Sequence, residues 1–593
     1  MLILHELREV ENDSNHEPSE KSMNQRLDEI FSLIEAQFRE ENENTDGETK
    51  KSGKVFLEDQ CRRIINSLAS VRNPEQLTRS SKNDSKSDQA FTSPKVSSIM
   101  VEEVPSFSYD QKQKKWGKEK IQSPIDHEFS KNNTHPTILV FEARFDIVHH
   151  RLLRHPLFQH IHAAPGANPQ RDFGKETFVL VSRLVRQTIN HEETVFVLGV
   201  ITRSMEGRYF LEDSFAKLPL AFDESSKAST HSMDGYILSH APIVVRGKWD
   251  GVSIQSHAIG LPPGEPRLLS RQWLGHKVDL FGKKTPVYSL DHILQNSKSS
   301  IKPSSLNPLP SDSEDPTLCL VFSDFFVDEP NVLYSFRAVV KLLLARKGCV
   351  VSFQSGPRFV RSSPETLIFV FTGNFLRKPD ISTNTPLKYK KAFSGFAKLL
   401  ELEFPEIAKS SFFFFLPGPQ DLTQRGQNSV YPKSRLPSFL TEDLSAKLTN
   451  FSLATNPLRL RVCDSEIVIF RDETTMKMES ESILPVAPIV DSFKQGSAVD
   501  AFPHVVKTVI DNSHLHPFSR TSYPVYPSED VSLRLFPLPD TLVLCDNSHT
   551  SKSAQSVYLD CLAVNPGSFS EHNTFAILHP AKNGFSLTNV QDV

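Results

Sequence analysis

No stretch of the 593-residue chain reaches about 18 consecutive apolar residues, so hydropathy excludes a membrane-spanning helix. The six cysteines, at 61, 319, 349, 463, 545 and 561, form no CxxC and no zinc-like pairing. Most lie inside apolar runs such as "TLCLVF" and "TLVLCD", where a thiol packs as a small hydrophobe, and this predicts a reducing compartment. The opening "MLILHELREVEND" has no basic flank, no sufficient apolar core and no cleavage site, so no signal peptide is expected. Charge of one sign is lacking too: 67 basic against 71 acidic residues leave a formal −4, which excludes a global field drawing the chain onto nucleic acid. Methionine and tyrosine are sparse at 7 and 10, whereas phenylalanine reaches 42, a filler suited to closely packed sheet interiors.

The chain changes texture several times. Leu27, Ile30, Phe31, Ile34 and Phe38, and then Leu57, Cys61, Ile64, Ile65 and Leu68, repeat at helical spacing, which predicts an N-terminal helical region over 1–71. A polar stretch, 72–135, reads as a flexible linker with a basic, solvated segment "QKQKKWGKEK". From 136 to 290, short alternating strands separated by turn signals predict a small barrel of OB-fold type with its leading segment. Within it "KWDGVS" puts Asp250-Gly251 between two alternating runs, a hairpin signal. The Ser/Pro-rich 291–316 is a second linker. Beyond it, 317–593 alternates continuous apolar strands with amphipathic helices, one of them expected to run from an Asn331 cap to Gly348, and ends in a strand-rich tail that predicts a second sheet packed on the first. The expected fold class is therefore mixed α/β and β: helical region, OB barrel, and a sheet sandwich flanked by helices.

Three buried strands end in polar turns, "VFSDFFVD", "VFTGNF" and "FFFFLPGPQD", and the carboxyl ends of strands are where α/β sheets build sites. Their order resembles the calcineurin-like metallophosphoesterase fold, whose ligand motifs run D-x-H, G-D-x-x-D, G-N-H-D, a lone His, and G-H-x-H. Placed on this chain, Asp324 keeps the first carboxylate but Phe326 stands in for its histidine. Asn374 replaces the bridging carboxylate, and Pro419 and Gln420 replace the Asn-His pair while Asp421 is retained. His514 is the expected remnant of the lone histidine, with Asp546 and His549 near the last pair. Two-metal chemistry needs several anionic and imidazole donors around two closely spaced ions, and phenylalanine and proline supply none. The vestigial positions Asp324, Asn374, Asp421, His514, Asp546 and His549 are thus expected to hold no metal and no other cofactor. His149, His150, His155 and His160 show no ligand spacing either.

An OB barrel ahead of such a degenerate domain resembles the B subunits of eukaryotic replicative DNA polymerases, and the epsilon branch most closely. The similarity is carried by "ARFDIVHHRLLRHPLF", "VLGVITRSMEGRYFLEDS", "ATNPLRLR", "IVIFRDE", "YPVYP", "LRLFPLPDTLVLCD" and "CLAVNPGSF", from about residue 104 to 583. Members of that branch begin with a compact four-helix domain, whereas two helices are legible here. The resemblance implies a nuclear, non-catalytic subunit. It implies a grip on the C-terminal region of the polymerase catalytic subunit, a tether to GINS and the replicative helicase, small histone-fold subunits as fellow members, DNA reached through the complex, and no membrane partner. The alternatives are a delta or alpha B subunit, an active metal-dependent phosphoesterase, or a single-strand DNA module using Arg203, Arg208, Lys248 and Trp249, with Tyr209 and Phe210 beside them.

Overall fold

The computed structural model describes residues 96–105, 107–110, 115–118, 136–159, 177–186, 194–222, 235–274, 317–346, 366–378, 384–462, 465–484, 501–547, 554–580 and 584–590. The expected helices of 1–71, the 291–316 linker, Gly348 and His549 lie outside them. In chain order, β1 (Val96–Ile99) and a hairpin of β2 (Phe107–Asp110) with β3 (Lys115–Lys118) precede helix α1 (Pro136–Arg154). The barrel follows: β4 (Thr177–Leu180), β5 (Thr194–Arg203), β6 (Tyr209–Glu212), β7 (Lys217–Phe222), β8 (Pro242–Trp249) and β9 (Ile254–Gly260). Its strand order is β4-β5-β6-β7-β9-β8, and a long antiparallel β5–β8 pairing closes it. Alternation drives this, since Val195, Val197, Leu211, Val245 and Ile254 point to one interior. The β8–β9 turn falls at Asp250-Gly251, with Gly251 at φ 94° and Asp250 Oδ1 accepting from the Val252 and Ser253 amides. One expectation fails here: "TFVLVSRLV" is not a continuous strand, because after Leu180 the chain turns into a short helix whose Ser182 amide donates to Asp213.

After helix α2 (Arg267–Leu274), the larger domain runs β10 (Thr317–Phe322), α3 (Pro330–Arg346), β11 (Thr366–Thr372), α4 (Thr385–Glu403), β12 (Phe412–Leu416), β13 (Asn450–Leu453), β14 (Leu458–Val462), β15 (Ser465–Arg471), α5 (Ala501–Asp511), β16 (Thr541–Cys545), β17 (Ala554–Tyr558), β18 (Cys561–Asn565), β19 (Thr574–His579) and β20 (Gly584–Asn589). Helix α3 begins on Pro330, so Asn331 lies inside its first turn and is not its cap. Two six-stranded sheets result, β13-β12-β11-β10-β19-β20 and β1-β14-β15-β16-β18-β17. The tail is therefore shared: β14 to β18 build the second sheet, whereas β19 returns to pair with β10 in the first. The expected linker 72–135 also contributes structure, since β1 pairs antiparallel with β14 and Met100 and Val101 are buried. The backbone of 115–118 is likewise a strand, paired antiparallel with β2.

The phenylalanine surplus has a layered explanation. Strand geometry sends Phe413 and Phe415 toward the outer helices, where they meet Phe369, Phe371, Phe336, Phe393 and Phe396, while Phe414 and Leu416 face the second sheet across a core with Leu458, Ile467 and Val543. A strand covered on both faces can be apolar at every position. On the far side, Val468, Phe470, Leu542 and Leu544 pack under α5. Cys319, Cys545 and Cys561 are buried and unoxidised, as expected of small hydrophobes.

Barrel and sandwich are locked by buried polar groups, not merely abutted. Arg151 of α1, wholly buried, donates to the Asp511 and Pro262 carbonyls at 2.5 and 3.0 Å and to Ser513 Oγ at 2.5 Å. Gly264 N donates to Asp511 Oδ1, Tyr236 N to Thr508 Oγ1, and Ile483 N to the Ile237 carbonyl. From α2, Arg267 and Arg271 each reach Glu466 at 3.0 Å, and Arg461 completes the set at 2.8 Å. Burial alone would raise the Glu466 carboxyl, but the three guanidiniums draw it down to about 2.

Arg151→Met should lower unfolding free energy by about 3 kcal/mol, because an apolar side chain leaves several buried acceptors unmet; denaturant unfolding of the two proteins checks this. Glu466 has a folded pKa below its unfolded value, so its contribution is full above pH of about 4.5 and is lost as pH falls toward about 2. Melts of Glu466→Gln should therefore be less stable than the parent at neutral pH, with the difference shrinking across that acid window.

Candidate functional site

The carboxyl ends of β10, β11, β12, β15 and β16 converge on one cleft. After β10, Asp324 adopts φ 50°, a left-handed conformation that aspartate tolerates better than most residues. That turn buries Phe325 among Phe322, Phe336, Phe371 and Phe396. After β11 and β12, the Gly373-Asn374 and Pro417-to-Asp421 turns touch backbone to backbone. A methyl group on Gly373 would lie 1.8 Å from Asp421 Oδ2, and one on Gly418 would lie 2.5 Å from the Gly373 carbonyl carbon, so neither position admits a side chain. Asp421 accepts from the Phe375 amide (2.9 Å), the Gly418 amide (2.8 Å) and Tyr389 Oη (2.7 Å). Burial pushes its carboxyl up, and those three donors oppose the shift. Asn374 Oδ1 accepts from the Gln420 amide at 2.9 Å.

The cleft's charge is supplied from within the chain. Arg471, the last residue of β15 and 1% exposed, donates from Nη2 to Asp324 Oδ1 at 2.8 Å and from Nε to the Gly373 carbonyl at 3.0 Å. Burial lowers its pKa, but Asp324 more than offsets that and holds the guanidinium above its ordinary value. A second cation, Lys433, donates to the Pro419 and Asn428 carbonyls, and burial draws it down to about 8. Next to Arg471, Asp472 accepts from Tyr431 Oη at 2.9 Å and from Lys477 Nζ at 2.7 Å, with His516 Nδ1 at 3.4 Å.

A phosphoesterase fold raises the question of two divalent ions, and these residues do not fit them. Asp324 Oδ1 carries a guanidinium, the Asn374 oxygen is spent on a backbone amide, and Asp421 already accepts three hydrogen bonds. Among the described residues no cluster of three or more His, Cys, Asp or Glu is placed to hold a metal ion.

Both domains have counterparts among known proteins. A family model for the B subunit of DNA polymerases alpha and epsilon matches residues 319–553, and one described as DNA polymerase epsilon subunit 2-like, OB-fold domain, matches 134–263. DNA polymerase epsilon subunit 2 of Mus musculus is 28% identical over 500 residues, covering 82% of each chain. The Homo sapiens protein of the same name is 28% identical over 456 residues, covering 76% of this chain and 75% of its own. The DNA polymerase epsilon B subunit of Arabidopsis thaliana is 27% identical over 547 residues, covering 91% of this chain and 89% of its own. The chain belongs to the family of DNA polymerase epsilon B subunits.

The positions singled out by sequence separate into two groups. Asp324, Asn374 and Asp421 come together, and Asp546 borders them, its Oδ2 accepting from the Thr475 amide at 2.6 Å. His514 does not join them. It lies against Asp530 at 3.3 Å and, buried beside Arg144, is held down to about 3. The side chain that reaches Asp324 from a later strand end is Arg471, not a histidine. Sequence reasoning missed Arg471 and Lys433; the available signal was a charged residue closing the apolar run of "IVIFRDE". In the barrel, Arg203, Arg208 and Lys248 are exposed, but Trp249 is buried in the barrel core and has no free face for a base. Arg203 lies over Tyr209 and Lys217 over Phe210, so the two neighbouring aromatics are covered by cations of this chain.

Arg471→Met and Asp324→Asn should each destabilise by about 3–5 kcal/mol, since each leaves the partner's charge or dipole buried without its complement. The double variant should lose less than the sum, and a double-mutant cycle by chemical denaturation measures the difference.

Proposed function

We propose that this chain works as the non-catalytic accessory subunit of DNA polymerase epsilon, a docking body with no chemistry of its own. The observation that carries the reading is the Arg471 guanidinium seated on Asp324 where a phosphoesterase would need a cation with open coordination positions. What remains is a rigid surface formed by the barrel segment, 136–290, and the sandwich segment, 317–593, held in one register by Arg151 and the Glu466 cluster. Preorganised surfaces lose little conformational entropy on association, and lasting subunit contacts bury roughly 2,000 Å² or more. In the finer reading, the occupant is the C-terminal region of the catalytic subunit, and the N-terminal region 1–71 tethers the polymerase to GINS and the replicative helicase. Small histone-fold subunits are fellow members, DNA is met through the complex, and the setting is the nucleus. The epsilon-type barrel match favours this over an alpha or delta assignment. A strand-binding role is less well supported, because Trp249 is buried.

Tagged full-length chain should co-purify with a polymerase catalytic subunit from nuclear extract and should show no manganese-dependent phosphodiesterase turnover above an Asp324→Ala control. A soluble, monodisperse chain that captures no such partner, or turnover abolished by Asp324→Ala, would overturn the reading.

A further inference from the structure

Helix α4 is 19 residues long, and the fold occupies only one side of it. Tyr389, Phe393, Phe396, Ala397 and Leu400 are buried in the aromatic core, whereas Leu387, Lys388, Lys391, Gly395, Lys398 and Leu402 are exposed. At 3.6 residues per turn, positions 388, 391, 395, 398 and 402 fall on one stripe directed away from the core. Most charges around that stripe are settled within the chain: Lys390 meets Glu442 at 2.8 Å, Arg337 meets Glu403 at 2.9 Å, and Lys447 meets Glu401. Lys391 and Lys398 have no acidic partner among the described residues. Leu387 and Leu402, 67% and 78% exposed, stand at the two ends of the stripe.

Gly395 sits at the crest of this face, one turn from each of the two lysines. Glycine is the poorest helix former after proline, and the fold does not ask for it here: a methyl group on Gly395 would meet no atom within 4 Å. Gly373 and Gly418 show the contrast, since backbone or a buried carboxylate lies against each. A helix that forgoes a side chain midway along its exposed face, at a cost to its own stability, leaves a notch for close approach from outside the chain.

We propose that the outer face of α4, from Leu387 to Leu402, is the docking surface for an acidic amphipathic helix of a fellow polymerase subunit, crossing at Gly395. The inference rests on the accessory-subunit reading given above. The backbone groups of a helix interior are spent within the helix, so α4 cannot accept an added strand and is read through its side chains. A glycine at the crossing lets two helices pack toward the short end of the usual interaxial range of about 8–10 Å. Lys391 and Lys398 lie about 10 Å apart along the axis, which matches carboxylates two turns apart on the incoming helix, and the two leucines meet its apolar side. Nucleic acid fits less well. A duplex needs an unbroken track of cations, whereas Glu401, Glu403 and Glu442 border this stripe and its ends are apolar.

The test compares tagged full-length chain purified alone with the same chain purified together with its polymerase subunits. Each sample is treated with an amine-acylating reagent and, separately, with a zero-length carbodiimide cross-linker, and the products are read by mass spectrometry. Lys391 and Lys398 should acylate several-fold more slowly in the complex, and the cross-links should join them to carboxylates about two helical turns apart in one segment of a single partner. Gly395→Leu should abolish the protection and the cross-links while leaving the isolated chain at least as heat-stable as the parent, because the site is open and leucine is the better helix former. Gly395→Ala should likewise raise the melting temperature; a fall would show that the glycine serves the fold and would overturn the argument. A complex that forms with both lysines acylated at the free rate overturns this surface and leaves the accessory-subunit reading standing, whereas failure to form any complex defeats both. Protection of the two lysines by a duplex oligonucleotide, with no carboxylate cross-link to a subunit, would assign the face to nucleic acid and would equally overturn the proposal.

Discussion

The structure turns on a buried ion pair between Arg471 and Asp324. Five strand ends bring their polar turns into one buried cleft, and a carboxylate placed there requires a cation. In a metallohydrolase the cation is exchangeable and leaves coordination positions for water and substrate. Here it is covalently part of β15, it donates to Asp324 and to the Gly373 and Cys545 carbonyls, and its position is set by a strand paired with β14 as far as Ile469 and with β16 through Arg471 itself. Substituting a guanidinium for metal keeps the electrostatics of the turn satisfied while removing the open coordination site that chemistry needs.

That substitution explains why the surrounding geometry persists. Gly373 and Gly418 still pass backbone against backbone, and Asp421 still collects two amides and a tyrosine hydroxyl. None of this requires catalysis to be useful, since the same turns position Phe325 and Phe375 in the aromatic core beneath them. An inactive site of this kind is a structural keystone, and its polar residues act through fold stability.

The same economy of buried charge joins the two domains. Arg151 satisfies carbonyl groups at the end of α5 that would otherwise face an apolar interface, and Glu466 gathers guanidiniums from β14 and from α2. Directional contacts of this sort fix a register that apolar packing alone leaves free to slide. A body held in a single register can present one composite surface to a partner, which is the property an accessory subunit needs.

Much of this was legible along the chain. Continuous apolar runs marked β10, β11 and β12, alternation and a Gly-containing turn marked the barrel hairpin, and Phe326 and Gln420 marked strand ends short of imidazole donors. These depend on local periodicity and on residue chemistry, and neither requires knowing what lies opposite. Other features were set by partners distant in sequence: the recruitment of β1 to β14, the return of β19 to β10, the burial of Trp249, the diversion of His514 to Asp530, and the seating of Arg471 on a carboxylate 147 positions earlier. A charged side chain reads as a surface residue until the fold supplies its counter-charge. Local periodicity and residue chemistry thus account for the elements and for the lost metal donors, whereas the choice of Arg471 as the internal cation follows from which strand ends meet in space.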